Sequence, residues 1–384
     1  MLFMLRIGSM TRFLLLLIAL ISFPQIAETA YSPALPLIAK TYEVSSGRAA
    51  QTLSVYFMAF AVGVLFWGWI CDRLGRRPAI LAGVTVYLAA CLAALFCESF
   101  EALLGARILS AFGAAVGSIG VQTMLRDHYH ADELVRVFSL MGVALALSPL
   151  LGLILGVWLS SSGVLATVFL GLLILAVLLL GFSIWGLPET RPDKKTAVSL
   201  IDVGVRLFRD HDIWRSAVLV SLFNTTIFAF YQWAPFLLRE LGSDSQPMLM
   251  AGALLATGTL AGAFLNRHWL KQGCSPHTVM RRSTFILALA GLGLRLISTH
   301  LVFLLAPAML IALAYALAIP NLLSIALRRY RREAGMAGAV FGLMYSLLLG
   351  AGLALSAWWG DLANATLACA AAANLLLVHS SVEK

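Results

Sequence analysis

Three ionisable side chains, Glu28, Arg107 and Arg295, lie inside long apolar stretches of this chain. A charge held in hydrocarbon costs several kcal/mol unless it is paired or faces water, so such a residue is a functional candidate by default. Glu28 lies deep in the first apolar stretch, close to Pro24, whose missing N–H loosens a helix. A carboxyl held there can take up a proton from one side of a membrane and release it to the other; the competing assignment is a carboxyl near a helix end that meets water. Arg107, near the start of the fourth stretch, is either part of such a site or a side chain that snorkels to the interface. Arg295 snorkels toward the interface and stays outside the site. A second set combines aromatic and amide groups at mid-stretch depth: Gln25, Tyr31, Tyr56, Asn224, Phe230, Tyr231, Gln232, Trp233 and Asn321. With few fixed charges among them, they suit a cavity for a lipophilic or weakly polar solute, helix packing being the alternative.

Other residue types point away from chemistry. His128-Tyr129-His130 with Asp127 and Asp132 reads as a solvated loop, not a metal or acyl-transfer site. The five cysteines are scattered without metal spacing and read as free packing thiols. No G-x-x-x-x-G-K-[ST] occurs, so no ATP is implied, and no cofactor or metal is expected.

The elements that position these groups follow from composition. At 61% hydrophobic and 12% charged, with a mean hydropathy of +0.91, the chain is far from the roughly 45–50% apolar usage of soluble domains. Twelve apolar stretches, over residues 12–38, 49–70, 78–97, 102–124, 136–160, 163–186, 214–238, 247–266, 282–299, 302–326, 335–357 and 361–379, reach or approach the about 20 residues that cross a bilayer. Their length makes them helices, not barrel strands. With the N-terminus inside, all 27 Lys and Arg but Lys40, Arg48, Arg107, Arg239 and Arg295 fall on the inner side, which selects N-in and C-in. The net charge of +9 is thereby assigned to topology and anionic lipid, with no nucleic acid partner. Residues 1–30 also mimic a signal peptide, but the apolar stretch runs on through Tyr31 to Pro36, so the expectation is a retained first helix.

The widest polar interval, residues 188–213, divides the chain into six stretches (1–187) and six (214–384). Within it, Val198 to Phe208 has the spacing of a short amphipathic helix on the inner leaflet. An offset of about 198 residues superposes Arg73, Gly75 and Pro78 on Lys271, Gly273 and Pro276, and nearly Pro36 on Pro235, as a parallel repeat would.

Between the second and third stretches runs Gly68-Trp69-Ile70-Cys71-Asp72-Arg73-Leu74-Gly75-Arg76-Arg77-Pro78. This G-x-x-x-D-R-x-G-R-R resembles the signature loop of the major facilitator superfamily. Further segments resemble its drug:proton antiporter branch, in particular the bicyclomycin-resistance (Bcr/CflA) subfamily: Tyr31-x-Pro33-Ala34-Leu35-Pro36, Gly142 with Ser148-Pro149, Gly152 and Gly156, Leu187-Pro188-Glu189-Thr190, and Pro320-Asn321. Two positions depart from it. The acid two residues before the tyrosine is Thr29, with Glu28 one earlier, a rotation of about 100° on a helix; and Arg-x-x-Gln in the fourth helix becomes Arg107-Ile108-Leu109-Ser110.

The resemblance implies an all-α integral membrane protein with twelve transmembrane helices in two six-helix bundles, acting as a monomer in a bacterial inner membrane. It implies proton-driven export of small molecules by alternating access. Glu28 and Arg107 would couple protons; Gly68, Asp72, Arg73, Gly75, Arg76 and Arg77 would form a conformational latch; Gly142, Pro149, Gly152 and Gly156 would seal the outer half against the eighth helix, with Gly252, Gly258 and Gly262 as partners. Export of one endogenous metabolite, and import by proton symport, are the rival readings. A membrane-embedded enzyme would need a His, Asp or Ser cluster that the sequence lacks.

Overall fold

A computed structural model of the chain describes residues 2–129, 131–191, 200–240, 246–296 and 301–382. Backbone that lies in lipid has to satisfy its own N–H and C=O groups, and the described residues accordingly form helices joined by short turns. In chain order these are α1 (Leu2–Tyr31), α2 (Leu35–Thr41), α3 (Ser46–Leu74), α4 (Arg76–Ala94), α5 (Phe100–His128), α6 (Ala131–Ser160), α7 (Leu165–Gly186), α8 (Leu200–Arg209), α9 (His211–Glu240), α10 (Gln246–Lys271), α11 (Pro276–Leu296), α12 (Leu301–Ala326), α13 (Ala334–Trp359) and α14 (Leu362–Val382). Among the described residues ten spans are long and apolar enough to cross a membrane, and Leu362–Val378 is a shorter apolar helix.

Several boundaries differ from the hydropathy reading. The first stretch is not one helix: a 3-10 turn at Ser32–Ala34, around Pro33, separates α1 from α2. The fourth runs past 124 to His128, so His128, still exposed, ends a helix and does not stand in a loop. Its ring packs edge-on against Phe13 at 5.1 Å, and Tyr129 beside it is buried; His130 lies outside the described residues. The short helix expected in the polar interval is described from Leu200 and buries Val203 and Leu207.

The chain forms two compact units, Met1–Tyr31 with Val55–Ala197, and Ser32–Ser54 with Val198–Lys384. In the first, α1 packs on α5 and α6, and α4 on α5 and α7, around a core that includes Leu17, Leu20, Phe23, Tyr87 and Val116. In the second, α9 packs on α12, α13 and α14, and α10 and α11 pack on α12.

Prolines inside the spans each leave a carbonyl four residues back without its helical donor. In α6 the carbonyl freed by Pro149 is that of Leu145, and Ser148 Oγ lies 2.9 Å from it. In α9 Pro235 frees the carbonyl of Tyr231, which accepts a hydrogen bond from the Ser32 hydroxyl. In α1 Pro24 frees that of Leu20. Gly117 of α5 faces this carbonyl so closely that a Cβ would collide with it.

The repeat is visible in the backbone. Gly75 (φ +112°) and Gly273 (φ +84°) both adopt the left-handed region that glycine tolerates, each at the turn before the next helix of its unit.

Candidate functional site

The close approach at Gly117 fixes α5 against α1, and both helices carry one ionisable group into the first unit's interior. Glu28 is 1% exposed and Arg107 2%. The guanidinium of Arg107 lies over the Tyr31 ring, 3.7 Å from its centroid, and over the Tyr56 ring at 4.5 Å. Tyr56 is held in place by its hydroxyl, which donates to the Pro24 carbonyl at 3.1 Å. Arg107 and the Glu28 carboxyl are near enough to act on each other electrostatically, yet Oε1 of Glu28 and Nε and Nη2 of Arg107 have no hydrogen-bond partner. Unsatisfied polar atoms in a dry site are costly, and one proton or one small displacement of the carboxyl changes that cost.

The one-residue shift of the acid has a packing explanation. Thr29, at the position where the resemblance expects an acid, donates to Gln25 O at 2.8 Å and faces Gly152 of α6, where a Cβ would overlap its hydroxyl. There is no room for a carboxylate at that crossing. Glu28, one step round the helix, faces α5 and its arginine instead.

The α6 small residues are also resolved by this crossing. Gly152 lies against Ile26 and Thr29, and Gly156 against the Ala30 carbonyl, all on α1. Within the first unit, then, the close approach that these glycines permit is to the first helix. Gly258 and Gly262 of α10 likewise lie against Met309, Ala312, Leu313 and Ala316 of α12. Gly142 has open space around it, and Pro149 sits beside Ser148, whose Oγ is 3.0 Å from Gln25 Oε1.

The charged loop is a network. Arg76, 8% exposed, donates from Nε to Asp127 Oδ2 at 2.7 Å, from Nη1 to the Cys71 carbonyl at 2.8 Å, and pairs with Asp72 at 3.3 Å. Asp72 itself is 72% exposed. Glu189 accepts the backbone N–H groups of Arg76 (2.9 Å) and Arg77 (3.2 Å), capping α4 from a distant part of the chain. It also accepts those of Thr190 and Arg191. Partial burial acts to raise the pKa of this carboxyl, but the four amide donors outweigh it and hold it below the usual carboxylate range. A Cβ on Gly75 would stand 2.5 Å from the same carboxylate, so the turn needs glycine twice over. Arg77 donates to Ile184 O and Arg191 to Arg73 O, while Arg73 lies over the Trp69 ring at 4.3 Å. A Cβ on Gly68 would stand in ordinary contact with Ile119 of α5, so this position does not require glycine for space. Asp127 and Glu189 are the members that reading the sequence missed.

In the second unit the predicted cavity residues divide. Asn224, Phe230, Tyr231, Gln232 and Trp233 are all buried on α9. Gln232 donates to Ala50 O at 2.8 Å, Trp233 to Ser356 Oγ at 3.1 Å, and Asn224 to Val220 O in its own helix. Asn321 instead pairs with Asn266, joining α12 to α10 at 2.8 Å. Arg295 is exposed and pairs with Asp361 at 3.0 Å and Asn364 at 3.2 Å. Among the described residues no group of three or more His, Cys, Asp or Glu is placed to hold a metal ion.

Comparison with known proteins matches this architecture. The family model described as Major Facilitator Superfamily matches residues 15–355. An "Uncharacterized transporter" of Rickettsia bellii (strain RML369-C) is 28% identical over 351 residues, 88% of this chain and 87% of that protein. "Multidrug resistance protein D" of Escherichia coli (strain K12) is 34% identical over 180 residues, 47% of this chain and 45% of that protein. Among solved structures, that of the POT family transporter PepTSo superposes with a TM-score of 0.77 at 13% identity, covering 97% of both chains, a likeness of fold. With ten candidate membrane spans and a family match over most of its length, this chain belongs to the Major Facilitator Superfamily and is a transporter, not an enzyme.

Proposed function

We propose that this transporter is a proton-driven exporter of small lipophilic or weakly polar molecules, working by alternating access as a monomer in a bacterial inner membrane. In this reading twelve helices cross the bilayer with both termini inside, in bundles 1–187 and 214–384 joined by the linker 188–213. The observation that carries it is the buried pair of Glu28 and Arg107, with orphaned polar atoms on each and two tyrosine rings on the arginine. Protonation of Glu28 changes the charge balance of that buried pair. Proton and cargo then favour different orientations of the protein and compete through that preference. The partial likeness to "Multidrug resistance protein D" supports export over import, and multidrug cargo over a single metabolite.

The test is efflux from proteoliposomes under an imposed proton gradient, read with a panel of lipophilic drugs, for the native chain and Glu28→Gln. Gradient-dependent efflux that the variant loses is the expected result. Equal efflux from both removes Glu28 from the mechanism.

A further inference from the structure

The two turns that share a positive-φ glycine differ in how their charge is balanced. At Gly75 the cations are answered by carboxylates: Arg76 meets Asp127 and Asp72, and Glu189 caps α4. At Gly273 no such answer exists in the sequence nearby, because residues 245–332 contain nine Lys and Arg and no Asp or Glu. Helix α11 is capped by a neutral hydroxyl, Ser275 Oγ accepting from Thr278 N at 3.1 Å. Arg267 and Lys271 at the end of α10, and Arg281 and Arg282 at the start of α11, are all exposed. Among the described residues no carboxylate lies within ion-pair distance of any of them. Arg282 lies over the Trp269 ring at 4.7 Å, tying the two helices together at this end.

The surface that continues from these cations is apolar. On α10 Leu260 and Phe264 are 58% and 71% exposed and stand on the face that ends in Arg267 and Lys271. On α11 Phe285 and Leu289 are 65% and 44% exposed, one and two turns from Arg281. Two neighbouring helices thus each present an apolar stripe that ends, at the same turn, in unneutralised positive charge.

We infer that this turn binds the headgroup of an anionic phospholipid, whose acyl chains lie along the exposed stripes of α10 and α11. A single anion with an attached hydrocarbon tail matches both halves of the surface, and cations near a membrane surface each attract anionic lipid measurably. The inference goes beyond the transport reading and does not depend on it.

The experiment uses the purified full chain in mild detergent, with phosphatidylglycerol or phosphatidylcholine of identical acyl chains, and counts lipids retained by native mass spectrometry. Phosphatidylglycerol should be retained several-fold better, and the preference should fall to near equality in Lys271→Gln/Arg281→Gln/Arg282→Gln. Arg206→Gln/Arg209→Gln on α8 should leave it unchanged. Equal retention of the two lipids, an unchanged preference in the triple variant, or an equal loss in the α8 variant overturns the site. Displacement of the lipid by millimolar inorganic phosphate would mark a site for a free anion and overturn it as well. Should the triple variant elute aggregated, Lys271→Gln alone should lower the preference by a smaller factor, and no change there counts against the site.

Discussion

Arg107 lies over the ring of Tyr31, its guanidinium carbon 3.7 Å from the ring centroid, while two of its nitrogens have no hydrogen-bond partner. The ring face, not a carboxylate in contact, is what this buried cation rests on. A desolvated cation–π contact is worth about 2 kcal/mol. Tyr31→Leu should therefore destabilise the protein by about that amount, read as a lowered thermal midpoint in detergent, whereas Tyr31→Phe keeps the ring and should lose much less. Equal losses would mean the hydroxyl, not the ring, carries the contact.

Gly117→Ala drives a Cβ into the Leu20 carbonyl, a backbone atom that cannot rotate away. The expected cost is about 1–3 kcal/mol of overpacking. Because Arg107 shares α5 with Gly117, gradient-driven efflux should fall more than the amount of folded protein. A drop confined to expression level would separate the crossing from transport.

Asp127→Asn leaves the guanidinium of Arg76, 8% exposed, beside a neutral amide. Breaking a buried pair from one side costs about 3–5 kcal/mol, and this loss should fall below that range because Arg76 keeps Asp72 at 3.3 Å and the Cys71 carbonyl at 2.8 Å. Arg76→Met/Asp127→Leu should recover part of the loss. A double variant as unstable as the sum of the two single ones would mean that the pair has no mutual energy.

Glu189→Ala removes the cap from α4 at a cost of about 1 kcal/mol. The carboxyl is held below its ordinary value of 4.5, so its contribution is fully present above that pH and is lost as the pH falls through the lower folded value. Acid unfolding curves of the native chain and the variant should therefore be separated near neutrality and converge in strong acid. Curves that stay parallel down to the lowest pH would assign the cap's effect to packing and not to charge.

What the sequence made legible was whatever depends on local type. Prolines and glycines announced breaks and close approaches, but not their partners: Ser32 is far in sequence from the Tyr231 carbonyl it caps, and Glu189 from the amide of Arg76. Gly152 and Gly156 signalled a tight helix crossing without saying that α1 is the other helix. Hydropathy found the spans and missed their ends, because Arg126 to His128 continue α5 as helix after the apolar run has stopped. The register of Glu28 was readable as a question, and only the facing helices decide it, α6 closing off position 29 and α5 offering Arg107 to position 28.

The chain passes from the first compact unit to the second between Tyr31 and Ser32, and returns between Ser54 and Val55. Both passages are within two residues of an aromatic ring that rests on Arg107, Tyr31 on one side and Tyr56 on the other. Two of the three places where the chain crosses between the units thus start from a ring that rests on one cation. Within the first unit, the same arginine therefore holds the two points at which the chain leaves and re-enters it, and a change of charge at Glu28, three residues from Tyr31, reaches that arginine.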